Sequence, residues 1–399
     1  MVTVPRSPAS SPFSRLVSTH MLSVGAEACV AVALAGSLFF SVPAGEARPK
    51  VILYLLLTFA PFIVVGPILG PALDRTSTGR RFMVTACAVG RAVLCALMAR
   101  HVDGLLLFPE AFGVLVASKG YAIAKSAIVP AVVADRDLLV EANSRLALVG
   151  VVGGFLAGVP AAGLLKVLGP TWVLALGAVL SSAAAVASLR IPASTPERAP
   201  LSGEARRELH SATVLLAASA MTILRGGVGF TTFLVAFVLK RSHEPDWVFG
   251  LVLAAAATGG LVGAVLAPPL RRKLREELIL AGALVVASVP ALAGARQGGV
   301  AWLVVVAFAL GVSASGGKLA FDSLIQRDAP DAVRGRLFAQ FETRLQFAWV
   351  VGAAVPVILS LGERVGLLGL SIALAATGLS YFGSTTAASR YTHTAGPAQ

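Results

Sequence analysis

Long apolar runs follow one another along the whole chain, and they constrain its fold more than any other feature. A helix that crosses a membrane needs about 20 mostly apolar residues, and twelve runs meet that requirement. They lie near 21–42, 51–73, 82–100, 104–131, 146–168, 170–189, 211–239, 247–269, 277–295, 300–320, 337–361 and 365–386. The pattern predicts an all-α membrane protein with twelve transmembrane helices.

The composition excludes a soluble protein. Of the 399 residues, 56% are hydrophobic and only 13% are charged, whereas a soluble domain has about 25% charged residues. The net charge of +13 does not indicate a nucleic-acid partner, because the basic residues lie in short loops without interleaved aromatic residues on which bases stack.

The distribution of loop charges predicts the topology. If the N terminus is cytoplasmic, the cytoplasmic loops carry most of the loop lysines and arginines, as the positive-inside rule requires. Residues 1–20 lead into an apolar run without a convincing cleavage site, so we expect an uncleaved first span. Both termini are therefore predicted to be cytoplasmic, in a multi-pass protein of the plasma membrane.

A polar segment after the sixth run divides the chain into two halves. The predicted parts are a cytoplasmic tail (1–20), a six-helix bundle (21–189), a cytoplasmic linker (190–210), a second six-helix bundle (211–386) and a cytoplasmic tail (387–399). A shift of 193 residues aligns Lys125 with Lys318 and Asp135 with Asp328. This weak repeat predicts that the two bundles are pseudo-symmetric.

The loop after the second run carries a recognisable motif. Gly70, Asp74, Arg75, Arg80 and Arg81 resemble the loop motif G-x-x-x-D-R-x-G-R-R of the major facilitator superfamily, with two extra residues after Arg75. The resemblance implies a transporter that opens alternately to each side, and it assigns these five residues to the cytoplasmic gate. The alternative is a plain basic loop that obeys the positive-inside rule.

Two further segments resemble a drug- and siderophore-exporting branch of that superfamily. They are 124–145, AKSAIVPAVVADRDLLVEANSR, and 326–338, QRDAPDAVRGRLF. The resemblance implies efflux of chemically varied compounds. The glycine-rich stretch 150–163 partly resembles an antiporter motif, but small residues at this spacing equally favour close helix packing.

Three ionisable residues lie deep in the apolar runs, where a charge is costly and usually functional. Glu27 is the candidate for proton coupling; the alternative is a structural partner for a buried base such as Arg91. Arg91 and Arg225 are candidates for the substrate cavity, since an arginine cannot discharge and needs an anion or a carbonyl. Glycines at 226, 227 and 229 predict a break in the helix after Arg225.

Other charged residues near the predicted cytoplasmic ends of the spans are candidates for gate salt bridges. Lys318 and Asp322 are four residues apart and share one face of a helix. The remaining candidates are Lys125, Arg334, Arg336 and Glu342.

Signatures of an enzyme are absent from the sequence. The five histidines, at positions 20, 101, 210, 243 and 393, are assigned to loops or tails and are too scattered for a triad or a metal site. We therefore expect no catalytic residue, no cofactor and no metal.

Together these features predict a secondary transporter, with proton-coupled efflux of a small amphipathic molecule as the expected activity. The expected partners are the substrate, protons and the lipid bilayer, with no nucleic acid, and we expect a monomer. The alternatives are uptake of a solute or flipping of a lipid or lysolipid by the same fold, or a membrane scaffold that transports nothing.

Overall fold

The computed structural model describes residues 11–35, 59–60, 79–133, 135–192, 212–242, 244–329 and 334–394. Within these ranges the chain forms eleven helices that are long and apolar enough to cross a membrane. They are α1 (Pro12–Ala35), α2 (Gly79–Arg100), α3 (Leu107–Val132), α4 (Leu139–Leu168), α5 (Pro170–Ser188), α6 (Ala212–Arg241), α7 (Asp246–Arg271), α8 (Glu276–Gln297), α9 (Val300–Asp328), α10 (Arg334–Leu359) and α11 (Glu363–Thr394). A single 3-10 turn, Arg136–Leu138, precedes α4.

The eleven helices correspond to eleven of the twelve predicted spans. The remaining one, 51–73, lies outside the described residues except for positions 59 and 60. Helix α1 begins at Pro12, inside the segment predicted as a tail. Ser11 caps this end, because its Oγ accepts a hydrogen bond from the backbone N–H of Ser14 at 3.1 Å.

The chain forms two compact units. Unit 1 contains α1 to α5 and residues 334–342 of α10, and unit 2 contains α6 to α9, the rest of α10 and α11. In unit 1, α1 packs against α4 and α5, and α2 packs against α3 and α5. In unit 2, α9 packs against α7 and α8, and α11 packs against α8 and α6.

Glycines bring the backbones of α7 and α9 into contact. A Cβ atom at Gly259 would collide with the carbonyl oxygen of Phe308, and one at Gly263 with that of Val312. Seen from α9, a Cβ at Gly311 would collide with the carbonyl oxygen of Ala256. Small residues at such spacing let membrane helices approach closely, so these three glycines set the α7–α9 separation.

The predicted break after Arg225 is wrong. Helix α6 is continuous from Ala212 to Arg241. Its glycines instead allow close packing against α10, since a Cβ at Gly229 would collide with the carbonyl oxygen of Trp349. The glycine signal therefore reports helix packing at this site.

Close packing accounts for Gly153 in the glycine-rich stretch of α4. A Cβ at Gly153 would lie 2.9 Å from the carbonyl oxygen of Met21 on α1. Helix α4 continues through Pro160 and ends at Leu168, where Gly169 takes a φ of 84° and Pro170 starts α5. The packing interpretation thus has structural support at Gly153, whereas a Cβ at Gly163 would meet no atom within 4 Å.

Candidate functional site

Glu27 and Arg91, predicted separately, form an ion pair that joins α1 to α2. The Nη1 atom of Arg91 donates to Oε1 of Glu27 at 2.9 Å and to the backbone carbonyl of Ser23 at 3.3 Å. The side chain of Arg91 is 1% exposed, whereas that of Glu27 is 38% exposed. A buried guanidinium requires a compensating charge, and Glu27 supplies it while keeping part of its surface accessible.

Tyr121 of α3 extends this pair. Its buried ring lies 5.3 Å from Cζ of Arg91, within the range of a cation–π interaction. Its hydroxyl is 3.0 Å from Nδ1 of His20 and lies beside the hydroxyl of Ser23. Three helices thus contribute to one set of polar side chains, which we call the unit-1 cluster: His20, Ser23, Glu27, Arg91 and Tyr121.

The sequence analysis placed His20 in a tail, and this is wrong. His20 lies in α1 and is only 6% exposed. Its ring contacts the backbone of α4, which supplies a hydrogen bond at Leu146, and a Cβ at Gly150 would lie 3.3 Å from Nε2. The missed signal was the spacing of His20, Ser23 and Glu27, which places all three on one face of a helix.

The charges around the unit-1 cluster are unequal. Arg91 and Lys125 both act electrostatically on the ring of His20, while Glu27 contributes the carboxylate that binds Arg91. A part-exposed carboxylate can attract a cationic or hydrogen-bonding group of a substrate.

A second charged site lies in unit 2, and the sequence analysis did not anticipate it. Glu276, 3% exposed, accepts a hydrogen bond from Nη1 of Arg327 at 2.8 Å and forms an ion pair with Arg271, whose Nε lies 2.8 Å from Oε1. Arg327 also binds Glu277 at 3.4 Å and Asp328 at 2.7 Å. These residues join the ends of α7, α8 and α9.

We call this second site the unit-2 network. Its members are Arg271, Arg275, Arg327, Glu276, Glu277 and Asp328. Arg275 approaches Glu277 at 3.6 Å. The sequence analysis counted the basic residues here only as loop charges. Two glutamates in the first turn of a helix, directly after a basic run, were the available signal, because acidic side chains stabilise a helix N terminus.

The described gate candidates make local contacts. Nζ of Lys318 lies 2.5 Å from Oδ1 of Asp322 within α9. Arg334 is buried and donates from Nη2 to the carbonyl of Ala329 at 2.9 Å. Arg80, at the start of α2, is also buried.

The other candidates differ in exposure or lie outside the described residues. Lys125, Arg225 and Glu342 are half-buried, and Arg336 is exposed. Arg81 donates to the carbonyl of Ile191 at 3.5 Å. Gly70, Asp74 and Arg75 fall outside the described residues.

No three His, Cys, Asp or Glu side chains within the described ranges lie close enough together to hold a metal ion. The three cysteines at 29, 87 and 95 are buried free thiols.

Known proteins are similar to this chain over most of its length. An uncharacterised protein of Mycobacterium leprae is 31% identical over 407 residues, covering 90% of this chain and 69% of that protein. An uncharacterised MFS-type transporter of Mycobacterium tuberculosis is 29% identical, covering 93% of this chain and 92% of that protein.

Solved structures share the fold at low sequence identity. A bacterial homologue of the iron transporter ferroportin, in an outward-facing state, superposes with a TM-score of 0.73 at 18% identity, covering 94% of this chain and 99% of that one. The human organic anion transporter MFSD10 superposes with a TM-score of 0.69 at 13% identity, covering 93% and 99%.

The family profile described as Major Facilitator Superfamily matches residues 16–353, which is most of the chain. The homologues and the fold are those of transporters, which bind small-molecule substrates and are not enzymes. This chain is a multi-pass integral membrane protein that belongs to the major facilitator superfamily.

Proposed function

We propose that this protein exports a small amphipathic molecule in exchange for protons, by alternating access. The observation that carries the proposal is the Glu27–Arg91 pair, in which one partner is buried and the other is accessible. An ionisable residue within a membrane span is costly and marks an ion or substrate pathway. An accessible carboxylate can take up a proton when its ion pair with Arg91 opens and can release that proton when the pair forms again, once in each cycle.

Arg91 acts by holding Glu27. When Glu27 is ionised, the pair is neutral and its two helices are joined; when Glu27 takes up a proton, Arg91 keeps only its contacts with Ser23 and Tyr121. This difference in interaction energy is what a transporter needs, because a ligand or proton shifts an equilibrium only by its differential affinity for the two states. Arg225 is the remaining candidate for a direct contact with the substrate.

Export is proposed from the two segments, 124–145 and 326–338, that resemble the drug- and siderophore-exporting branch. Both lie near predicted cytoplasmic ends of spans, in a chain whose two termini are predicted to be cytoplasmic. We further propose that the protein has the domain bounds predicted from the sequence, that it is a monomer and that it lies in the plasma membrane. The cytoplasmic gate comprises the residues that the sequence analysis assigned to it. Its salt bridges form and break as the two bundles rock against each other.

Metabolite comparison tests this function for a substrate of any chemical class. Cells expressing wild type, Glu27→Gln or no protein, at matched membrane levels, are compared by untargeted mass spectrometry of intracellular and released compounds. We expect a compound that is depleted inside and enriched outside with wild type alone, because the amide introduced by Glu27→Gln cannot carry a proton.

The other results would contradict the proposal in distinct ways. Equal export by Glu27→Gln would keep the exporter but remove the coupling role of Glu27. A compound enriched inside the cells would reverse the direction to uptake. A change confined to the distribution of lipids between leaflets would indicate flipping, and no difference across a broad panel would favour a scaffold.

A further inference from the structure

We propose that unit 1 binds one anionic phospholipid where α1, α2 and α5 end together, with the lipid phosphate held by Arg15, Arg81 and Arg190. These three residues, far apart in the sequence, form what we call the arginine cluster. The inference concerns the contact of the protein with lipid and is independent of the proposed transport.

The arginine cluster forms around the backbone that follows α5. Nη1 of Arg15 donates to the carbonyl oxygen of Arg190 at 2.9 Å, and Nη1 of Arg81 donates to that of Ile191 at 3.5 Å. Because these carbonyls belong to consecutive residues, guanidinium groups from α1 and α2 converge where the exposed side chain of Arg190 begins. A guanidinium has five N–H donors, so one backbone contact leaves others for a phosphate, which arginine binds with matching geometry.

The three described helices place no carboxylate close to the arginine cluster. Helices α2 and α5 contain no Asp or Glu. The first acidic residue of α1 is Glu27, about 18 Å beyond Arg15 along the helix axis. In the unit-2 network, by contrast, carboxylates bind the arginines at the helix ends. A basic cluster whose own helices bring no counter-charge is suited to an anionic headgroup.

The arginine cluster lies at a membrane surface. In each of α1, α2 and α5, the arginine is about 20 residues from the opposite end of the helix, which is the length that crosses the hydrocarbon core. This end of the helices is the predicted cytoplasmic one. Anionic lipids give the cytoplasmic leaflet its negative surface potential, which attracts basic residues at this depth.

An apolar face for the acyl chains extends from the arginine cluster along α2 and α5. The two helices meet where Oγ1 of Thr85 and Oγ of Ser188 are 2.7 Å apart. Phe82, one turn before Thr85, is 68% exposed, and Leu189, next to Ser188, is 59% exposed. Further exposed side chains on these helices are Val89, Val93, Val179 and Val186. A charged end joined to an apolar face matches a phospholipid, whereas a soluble anion would use the charged end alone.

Native mass spectrometry of the full chain purified in detergent tests this inference. Phosphatidylglycerol and phosphatidylcholine with the same acyl chains are titrated separately at low ionic strength. We expect wild type to bind the first phosphatidylglycerol more tightly than phosphatidylcholine. The double variant Arg15→Gln/Arg190→Gln is expected to lose about fivefold in phosphatidylglycerol affinity for each arginine removed, with little change for phosphatidylcholine.

Two further variants separate lipid binding from loss of folding and from net charge. Arg190→Gln changes only an exposed side chain, and we expect a loss of about fivefold even if the double variant does not fold. Arg272→Gln/Lys273→Gln removes the same charge from exposed residues directly after α7. This control is expected to keep the phosphatidylglycerol affinity of wild type.

Equal affinity of wild type for the two lipids would overturn the inference. An equal loss of phosphatidylglycerol affinity in the two double variants would also overturn it, because net charge would then explain the binding. Displacement of the bound phosphatidylglycerol by an equal concentration of inorganic phosphate would show that the arginine cluster takes a free anion and that the apolar face is not used.

Discussion

The unit-1 cluster and the unit-2 network use similar residues in opposite ways. In unit 1, one carboxylate, Glu27, pairs with Arg91, and Lys125 acts electrostatically on His20 of the same cluster. In unit 2, three basic and three acidic side chains balance one another at helix ends; they are Arg271, Arg275, Arg327, Glu276, Glu277 and Asp328. The unit-2 network is thus electrically neutral, whereas the cations around the unit-1 cluster outnumber its one carboxylate.

The unit-1 cluster and the unit-2 network also differ in the solvent exposure of their carboxylates. The central carboxylate of the unit-2 network, Glu276, is buried and bound by two arginines, whereas Glu27 keeps an accessible surface. We infer that the unit-2 network stabilises the fold and that the unit-1 cluster changes state. Stability measurements on matched variants test this division, using the free energy of unfolding from SDS titration in mixed micelles.

The largest effect is expected for Glu276→Gln. Removing this charge leaves Arg271 and part of Arg327 uncompensated, and breaking a buried ion pair costs about 3–5 kcal/mol. A loss no greater than that of Glu27→Gln would contradict a structural role for the unit-2 network.

The next effect is expected for packing within unit 2. Gly259→Ala places a Cβ against the backbone of Phe308, and overpacking typically costs about 1–3 kcal/mol. Its neighbour provides the control, because a Cβ at Gly260 meets no atom within 4 Å. Equal stability of the two alanine variants would show that α7 and α9 do not depend on backbone contact at Gly259.

A smaller loss of stability is expected for Glu27→Gln. The amide oxygen still accepts a hydrogen bond from Arg91, so we expect a cost of about 1–2 kcal/mol. A residue that gives up its charge in each cycle must not be essential for folding. A loss equal to that of Glu276→Gln would make the Glu27–Arg91 pair structural and would weaken the proposed coupling.

The smallest effect is expected for Arg275→Ala. This side chain is 74% exposed and lies 3.6 Å from Glu277, and exposed ion pairs contribute less than about 1 kcal/mol. A larger loss would show that the periphery of the unit-2 network is as important as its buried centre.

Most of the architecture could be predicted from the sequence, since the bilayer imposes length and apolarity on each span. The sequence-based predictions were wrong where one type of residue can have two structural roles. Glycines after Arg225 predicted a broken helix, but in the structure they allow α6 to pack on α10. His20 was missed because hydropathy does not mark a helix start that Ser11 caps before the apolar run begins.

The sequence by itself determined that this chain crosses the membrane many times and that Glu27 and Arg91 require partners. Hydropathy and the cost of a buried charge are properties of local composition, so they can be read along the chain. Only the tertiary structure decided that Glu27 and Arg91 bind each other, that His20 and Tyr121 join them, and that Glu276 lies between two arginines. These pairings connect different helices, and packing geometry, which has no local signature, selects among the many partners that charge alone would permit.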